Sequence, residues 1–124
     1  MSMISFDDFK KVEIKAGKIL AAEKIPDTDK LLKLSVDFAE TKDVVKEDGT
    51  KEFSPVVRQI VSGIATFFPD PAVLIGKTCM FVTNIEPRMI KGYESNGMIL
   101  AVKTDTGLSL LEPNETIPPG TVAS

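Results

Sequence analysis

The side chains best suited to chemistry sit in one segment, Asn84-Ile85-Glu86-Pro87-Arg88-Met89-Ile90-Lys91-Gly92-Tyr93. Arg88 and Lys91 stand three residues apart, a spacing that reaches neighbouring phosphates, and Tyr93 offers a flat face on which a base can stack. The same stretch also reads as an ordinary solvated loop. What the chain lacks narrows the choice. It contains no histidine, which removes Ser-His-Asp and Cys-His triads, His-ligated zinc and the usual neutral-pH general base. Cys79 is its single cysteine, so an intrachain disulfide and a Cys-rich metal site are excluded, and a reducing compartment is expected. No lysine-bearing Gly-rich loop is present to cradle a nucleotide. Pro26-Asp27-Thr28-Asp29 brings two carboxylates together, but no third acidic ligand follows at calcium-loop spacing, and turn chemistry accounts for it. A non-catalytic chain with no cofactor is expected.

The charge distribution bears on the same segment. The net charge is −3, which argues against a polycation that coats nucleic acid. Residues 1–38 carry seven lysines and seven acids, and residues 39–56 carry three lysines against five acids. Residues 57–103 hold Arg58, Lys77, Arg88, Lys91 and Lys103 against Asp70, Glu86 and Glu94, whereas residues 104–124 hold only acids. The acidity is therefore concentrated in a central insertion and in the tail, which leaves a modest basic patch between them.

Positioning that patch requires a scaffold, and the periodicity is that of strands. Ser5 caps a short turn over Phe6-Asp7-Asp8-Phe9, whose two phenylalanines are expected to plug one end of a barrel. Val12 to Ile25 reads as one long strand, with a change of apolar phase after Gly17 that predicts a bulge or bend. Leu32, Leu34, Val36 and Phe38 alternate with Lys33, Ser35 and Asp37 to give a second, half-buried strand. Residues 39–55 are polar, with Asp48-Gly49 as a hairpin turn. Val56 to Ile64 is the third strand. Phe67 to Ile75 is a short helical connection stopped by Gly76. Cys79 to Asn84 and Met98 to Lys103 are the fourth and fifth strands, separated by a loop, and residues 104–124 hold one or two more. Phe6, Phe9, Phe38, Phe67, Phe68 and Phe81 fall on expected core positions, leaving Phe53 and Tyr93 as exposed platforms. Five short strands with a helical piece between the third and fourth is the element order of an all-β OB-fold, a Greek-key barrel. Other small β-barrels share that order.

With 124 residues, one domain is expected, with its core over about 12–103. No stretch approaches the ~18 apolar residues of a membrane span. The first residues lack the basic-then-apolar pattern of a signal peptide. A cytoplasmic location with no membrane partner is expected, which makes the sequon at Asn114 incidental.

Four segments in order carry a resemblance. They are Ser5-Phe-Asp-Asp-Phe-Lys-Lys-Val-Glu-Ile-Lys-Ala-Gly-Lys-Ile19, Asp29-Lys-Leu-Leu-Lys-Leu-Ser-Val-Asp37, Arg58-Gln-Ile-Val-Ser-Gly-Ile64 and Asn84-Ile-Glu-Pro-Arg-Met-Ile-Lys-Gly-Tyr-Glu-Ser-Asn-Gly-Met98. Together they resemble the bacterial tRNA-binding domain, an OB-fold module found at the C-terminus of many methionyl-tRNA synthetases, as a synthetase subunit and as a free-standing protein. The likeness runs through nearly the whole chain. Two departures are the longer 39–55 segment and Tyr93, where a small aliphatic residue is more usual.

The resemblance implies non-catalytic recognition of tRNA by shape and backbone, and places the nucleic-acid face on Lys33, Ser62, Asn84, Arg88, Lys91, Ser95 and Met98. Lys33, Arg88 and Lys91 would neutralise phosphates. Asn84 and Ser95 would hydrogen-bond sugar or phosphate, the 2′-hydroxyl included. Met98 would pack on a base or ribose. Structural alternatives stand beside three of these: Ser62 as a strand-end hydrogen-bonder, Asn84 as a turn former and Met98 as core. The resemblance further implies a homodimer, with residues 104–124 as its dimerisation extension, and the catalytic part of a methionyl-tRNA synthetase as a partner. A protein-binding chaperone of the CsaA type, built on the same fold, is the alternative. A single-strand DNA binder is disfavoured by the few exposed aromatics.

Overall fold

The computed structural model describes residues 2–124. One short helix, α1 (Phe6–Phe9), is followed by nine strands. They are β1 (Ile14–Lys24), β2 (Leu32–Val45), β3 (Lys51–Ser62), β4 (Thr78–Val82), β5 (Arg88–Ile90), β6 (Tyr93–Ser95), β7 (Met98–Ile99), β8 (Ala101–Lys103) and β9 (Leu108–Leu110). Five of them make one sheet in the order β3-β2-β1-β4-β7, and β5–β6 and β8–β9 are two-stranded. The five-stranded sheet curls into a half-barrel. Its β3 edge is met by β6, where Asn96 N donates to Gln59 O at 2.8 Å.

The core fills the concave side. Ile19, Leu32, Leu34, Val36, Ile60, Leu74, Cys79 and Phe81 are fully enclosed, and Phe38 meets Phe81 edge to face at 5.2 Å between centroids. The alternation in β2 is as expected: Leu32, Leu34, Val36 and Phe38 point in, whereas Lys33, Ser35 and Asp37 share the outer face. Strand register carries that face onto β3, because Lys33 pairs with Val61, Ser35 with Gln59 and Asp37 with Val57.

Several expectations are corrected. Irregularity in β1 falls at Leu20 rather than at Gly17: Ile19 pairs with Val36 and Ala21 with Ser35, so Leu20 is the extra residue. Gly17 instead permits a close approach, since a Cβ there would lie 2.5 Å from Phe38 Cε1. The polar 39–55 insertion turns at Asp48-Gly49 as expected. It continues β2 and β3 as a two-stranded ribbon beyond a second irregularity between Asp37 and Glu40, where Ala39 takes a φ of 60°. At its tip Gly49 has a φ of 85°, and the Asp48 carboxylate accepts from the Thr50 amide and hydroxyl. The connection after β3 is two single 3-10 turns, Ala65–Phe67 and Pro71–Leu74, the second capped by Asp70. Pro69 and Pro71 prevent a continuous helix there.

The expected loop 85–97 contains the β5–β6 hairpin. Lys91 and Gly92 both have positive φ, 51° and 86°, as a tight turn between twisted strands requires. The fifth strand is split at Leu100 into β7 and β8. The plug reading fails: α1 is capped by Ser5 as expected but buries none of its residues, and Phe6 and Phe9 are exposed. Phe67 and Phe68 are only half-buried.

The tail does not hang free. Its residues 120–123 take up the edge of β1 that β2 leaves unpaired. Ala16 N donates to Thr121 O at 2.8 Å, Gly120 N to Ala16 O at 2.7 Å and Ala123 N to Ile14 O at 2.8 Å. Part of the tail's aliphatic content is thus used within the chain, Leu110 among it. Among the described residues no helix is long and apolar enough to cross a membrane.

Candidate nucleic-acid interface

The cationic segment is held by polar anchors at its base. The Asn84 side chain accepts from Glu13 N at 2.7 Å and donates to Lys11 O. Thr83 is tied to the same region, donating its hydroxyl to Glu13 Oε1 at 2.6 Å. That hydrogen bond is the chief reason the Glu13 carboxyl titrates below its ordinary 4.5. On the far side, the Ser95 hydroxyl accepts from Val61 N at 2.9 Å and donates to Gly97 O at 3.1 Å, and Ser95 is 4% exposed. Gln59 Nε2 donates to Glu94 O at 3.0 Å. Both ends of the hairpin are therefore fastened.

The tip meets the turn between β1 and β2. Ile90 and Lys91 line one side of a cleft whose other side is formed by Asp27, Thr28, Asp29, Lys30 and Leu31. That turn is itself fixed, with Ile25 O accepting from both the amide and the hydroxyl of Thr28. In a Greek-key barrel, the β1–β2 loop and the loop before the last strand flank the ligand face of strands 2 and 3.

Of the sequence-expected residues only Lys91 lines this cleft, and the seven divide into two groups. Lys33, Ser62, Arg88, Lys91 and Met98 offer side chains at least partly to solvent, whereas Ser95 is enclosed and Asn84 is engaged with the N-terminal segment. A relay of pairings links Lys33 to Arg88 across two intervening strands: Lys33 lies opposite Val61, Val61 bonds Ser95, and Ser95 pairs with Arg88. The Lys33 ammonium sits 5.6 Å from the centre of the Tyr93 ring and 3.5 Å from Glu23 Oε2. Arg88 and Lys91 are exposed. Met98 is 44% exposed on β7, so it is not a core residue. Ser62 closes β3 opposite Leu32.

Arg58, another cation of the central region, behaves differently. Arg58 donates Nε to Glu40 Oε1 at 2.6 Å and Nη2 to Glu40 Oε2 at 2.8 Å. Its Nη1 reaches Thr83 O at 2.7 Å and Asn96 O at 3.3 Å. This guanidinium is the main cause of the lowered Glu40 carboxyl and is itself stabilised in the charged form. The charge distribution along the sequence counts Arg58 towards the basic patch. Its partner lies across a ribbon whose register the sequence does not reveal, so no local signal identifies the pair.

A family model described as "Putative tRNA binding domain" matches residues 14–122. The chain belongs to this family. It is 50% identical over 120 residues to a methionine–tRNA ligase of Methanoregula boonei, a match covering 96% of this chain and 15% of the ligase. The chain thus spans about 15% of the length of that curated relative. Its fold is similar to that of a MetRS-related protein from Pyrococcus horikoshii, with a TM-score of 0.80, 35% identity and full coverage of both chains. It is also similar to the chaperone CsaA of Bacillus anthracis, with a TM-score of 0.75, 27% identity, and coverage of 99% and 100%.

Proposed function

We propose that this chain is a non-catalytic tRNA-binding domain that works as an OB-fold, serving as a region or subunit of a methionine–tRNA ligase or as a free-standing protein. The observation that carries the reading is the family match over residues 14–122, joined to the placement of Lys91 on a cleft whose opposite wall carries Lys30 together with Asp27 and Asp29. Lys33, Arg88 and Lys91 contact phosphates, with Ser62 and Met98 at the border. Asn84 and Ser95 serve the same interface from beneath, as anchors of the hairpin. Tyr93 supplies a stacking face for a base or ribose. Recognition by backbone and shape suits so few cations, because it asks for a small number of well-placed charges rather than a polycationic surface.

The charge count bounds the interaction. Neutralising ~3–5 phosphates gives a log–log salt slope of about −2 to −4. Titration of the chain against bulk tRNA at several salt concentrations tests this. The expected result is salt-sensitive binding, weakened in the Arg88→Ala/Lys91→Ala double variant while the fold survives. No binding at low salt, or a slope near zero, rejects the reading.

A homodimer and a cytoplasmic location accompany the proposal. Phe6, Phe9, Val12 and Val122 form an exposed apolar groove beside the tail, and burying it against a second copy removes that surface from water. Light scattering gives the mass directly. In a ligase, the domain would raise the local concentration of tRNA beside the catalytic part. The same apolar groove and the likeness to CsaA support a second reading, client-protein binding. Suppressed aggregation of a denatured client without any tRNA binding would favour it.

A further inference from the structure

We propose that Arg58 is a positioning residue for RNA binding, a clamp that fixes the cation-bearing hairpin without touching the RNA. The proposal rests on the tRNA-binding reading above. Thr83 and Asn96 are the residues immediately before and after the segment 84–95, which carries Arg88, Lys91 and Tyr93. Nη1 of Arg58 donates to the carbonyls of both, at 2.7 and 3.3 Å. One nitrogen therefore pins the two ends of the segment to β3.

The rest of the guanidinium faces the other way. Its Nε and Nη2 hold Glu40 in a fork. Glu40 follows Ala39, whose φ of 60° marks the irregularity at the foot of the β2–β3 ribbon. The ring of Phe38 lies 5.3 Å from the guanidinium carbon. Arg58 thus joins three elements: the ribbon foot, the end of β4 and the return from β6. Its charge is matched by Glu40 and four of its five N–H donors are engaged, so it has little left to offer a phosphate. Lysine carries the same charge but lacks the planar fork and cannot reach all these acceptors together.

Loosening the clamp lowers the fraction of molecules whose hairpin stands ready, and apparent affinity falls by that fraction. The bound state keeps its phosphate contacts, so the salt slope stays the same. A residue that neutralises a phosphate behaves otherwise: its loss makes the slope shallower by about 0.7–0.9.

The experiment compares the wild-type chain with Arg58→Lys and Glu40→Gln. It measures tRNA affinity against salt, and amide hydrogen exchange without RNA. For folded variants, the expected result is an affinity loss of about tenfold or more at unchanged slope, by the readiness argument. Faster exchange is expected at Asn96 N and Val61 N, which bond Gln59 O and Ser95 Oγ at the hairpin base. Unchanged affinity, unchanged exchange or a slope reduced by about one charge overturns the proposal. If Arg58→Lys fails to fold, Glu40→Gln decides by the same criteria. If the wild-type chain binds no tRNA, the RNA-binding reading fails by itself, and exchange still decides whether the clamp holds the hairpin.

Discussion

Gly17 passes so close to Phe38 that a Cβ at position 17 would stand 2.5 Å from Cε1 of the ring and 2.6 Å from Cγ1 of Val36. Phe38 has nowhere to retreat. It is 2% exposed, packs edge to face on Phe81 and has the Arg58 guanidinium over its ring. Gly17→Ala is therefore an overpacking change at a rigid site, with an expected cost of about 1–3 kcal/mol. Urea unfolding should show a lower midpoint at unchanged slope. A midpoint equal to wild type would mean that Phe38 is free to move.

The two perturbed glutamates predict how stability depends on pH. The Thr83 hydroxyl holds the Glu13 carboxyl below its ordinary 4.5, and the Arg58 guanidinium does the same for Glu40. Carboxyls whose folded values are depressed bind fewer protons in the folded chain than in the unfolded one between the two values. Their contribution is fully present above about 4.5 and disappears as pH falls through the lowered folded values. Glu13 contributes the smaller share, being the more solvent-screened of the two. The urea midpoint should hold from neutral pH to about 5 and then drop. In Glu40→Gln the drop should be shallower, and an identical pH profile would remove Glu40 from the account.

How far the sequence revealed this molecule follows from which interactions are local. The β2 alternation was legible because period two over Leu32–Phe38 has one interpretation, and the Asp48-Gly49 turn because its chemistry lies within three residues. The length of the strands flanking that turn was not legible, since the polarity of the insertion, with Lys42, Asp43, Lys46 and Glu52, is equally that of a solvated loop and of a two-stranded ribbon wet on both faces. The β5–β6 hairpin was missed because Lys91-Gly92 is a weaker turn signal than Asn-Gly. In the candidate site, Lys33, Arg88 and Lys91 could be named from residue type and motif. That Ser95 is enclosed and that Arg58 is paired with Glu40 depends on contacts 34 and 18 residues apart in the chain, which no local pattern encodes.

Cys79 offers a chemical check on the core. Its side chain is fully enclosed, and burial is the main cause that pushes its thiol up to about 11. The thiolate needed for reaction is scarce at mild pH, and access is blocked. A thiol reagent at about pH 8 should leave the folded chain unlabelled and label it completely in denaturant. Rapid labelling without denaturant would show that β4 opens.

Ser95 tests the foundation of the hairpin. Val61 is 5% exposed and donates its amide to the Ser95 hydroxyl. Ser95→Ala removes the acceptor and leaves that buried amide unpaired, at an expected cost of about 1–3 kcal/mol. A lowered urea midpoint, with faster hydrogen exchange at Val61, is the predicted signature. Unchanged stability would mean that water replaces the hydroxyl.

Tyr93 and Arg88 should separate stacking from charge at the interface. The Tyr93 ring has the Lys33 ammonium 5.6 Å from its centre. Replacing the ring by leucine keeps an apolar group but removes the π-face, and stacking of one base is worth about 1–3 kcal/mol. Tyr93→Leu should weaken tRNA binding by roughly 5- to 150-fold on that range, with no change in salt slope because no counterion is involved. Arg88→Ala should weaken binding and also make the slope shallower by about 0.7–0.9, as one phosphate loses its partner. Parallel titrations at four salt concentrations distinguish the two behaviours. Equal slopes for wild type and Arg88→Ala would move the phosphate contact off this residue, and full affinity in Tyr93→Leu would leave Tyr93 as no more than packing for Lys33.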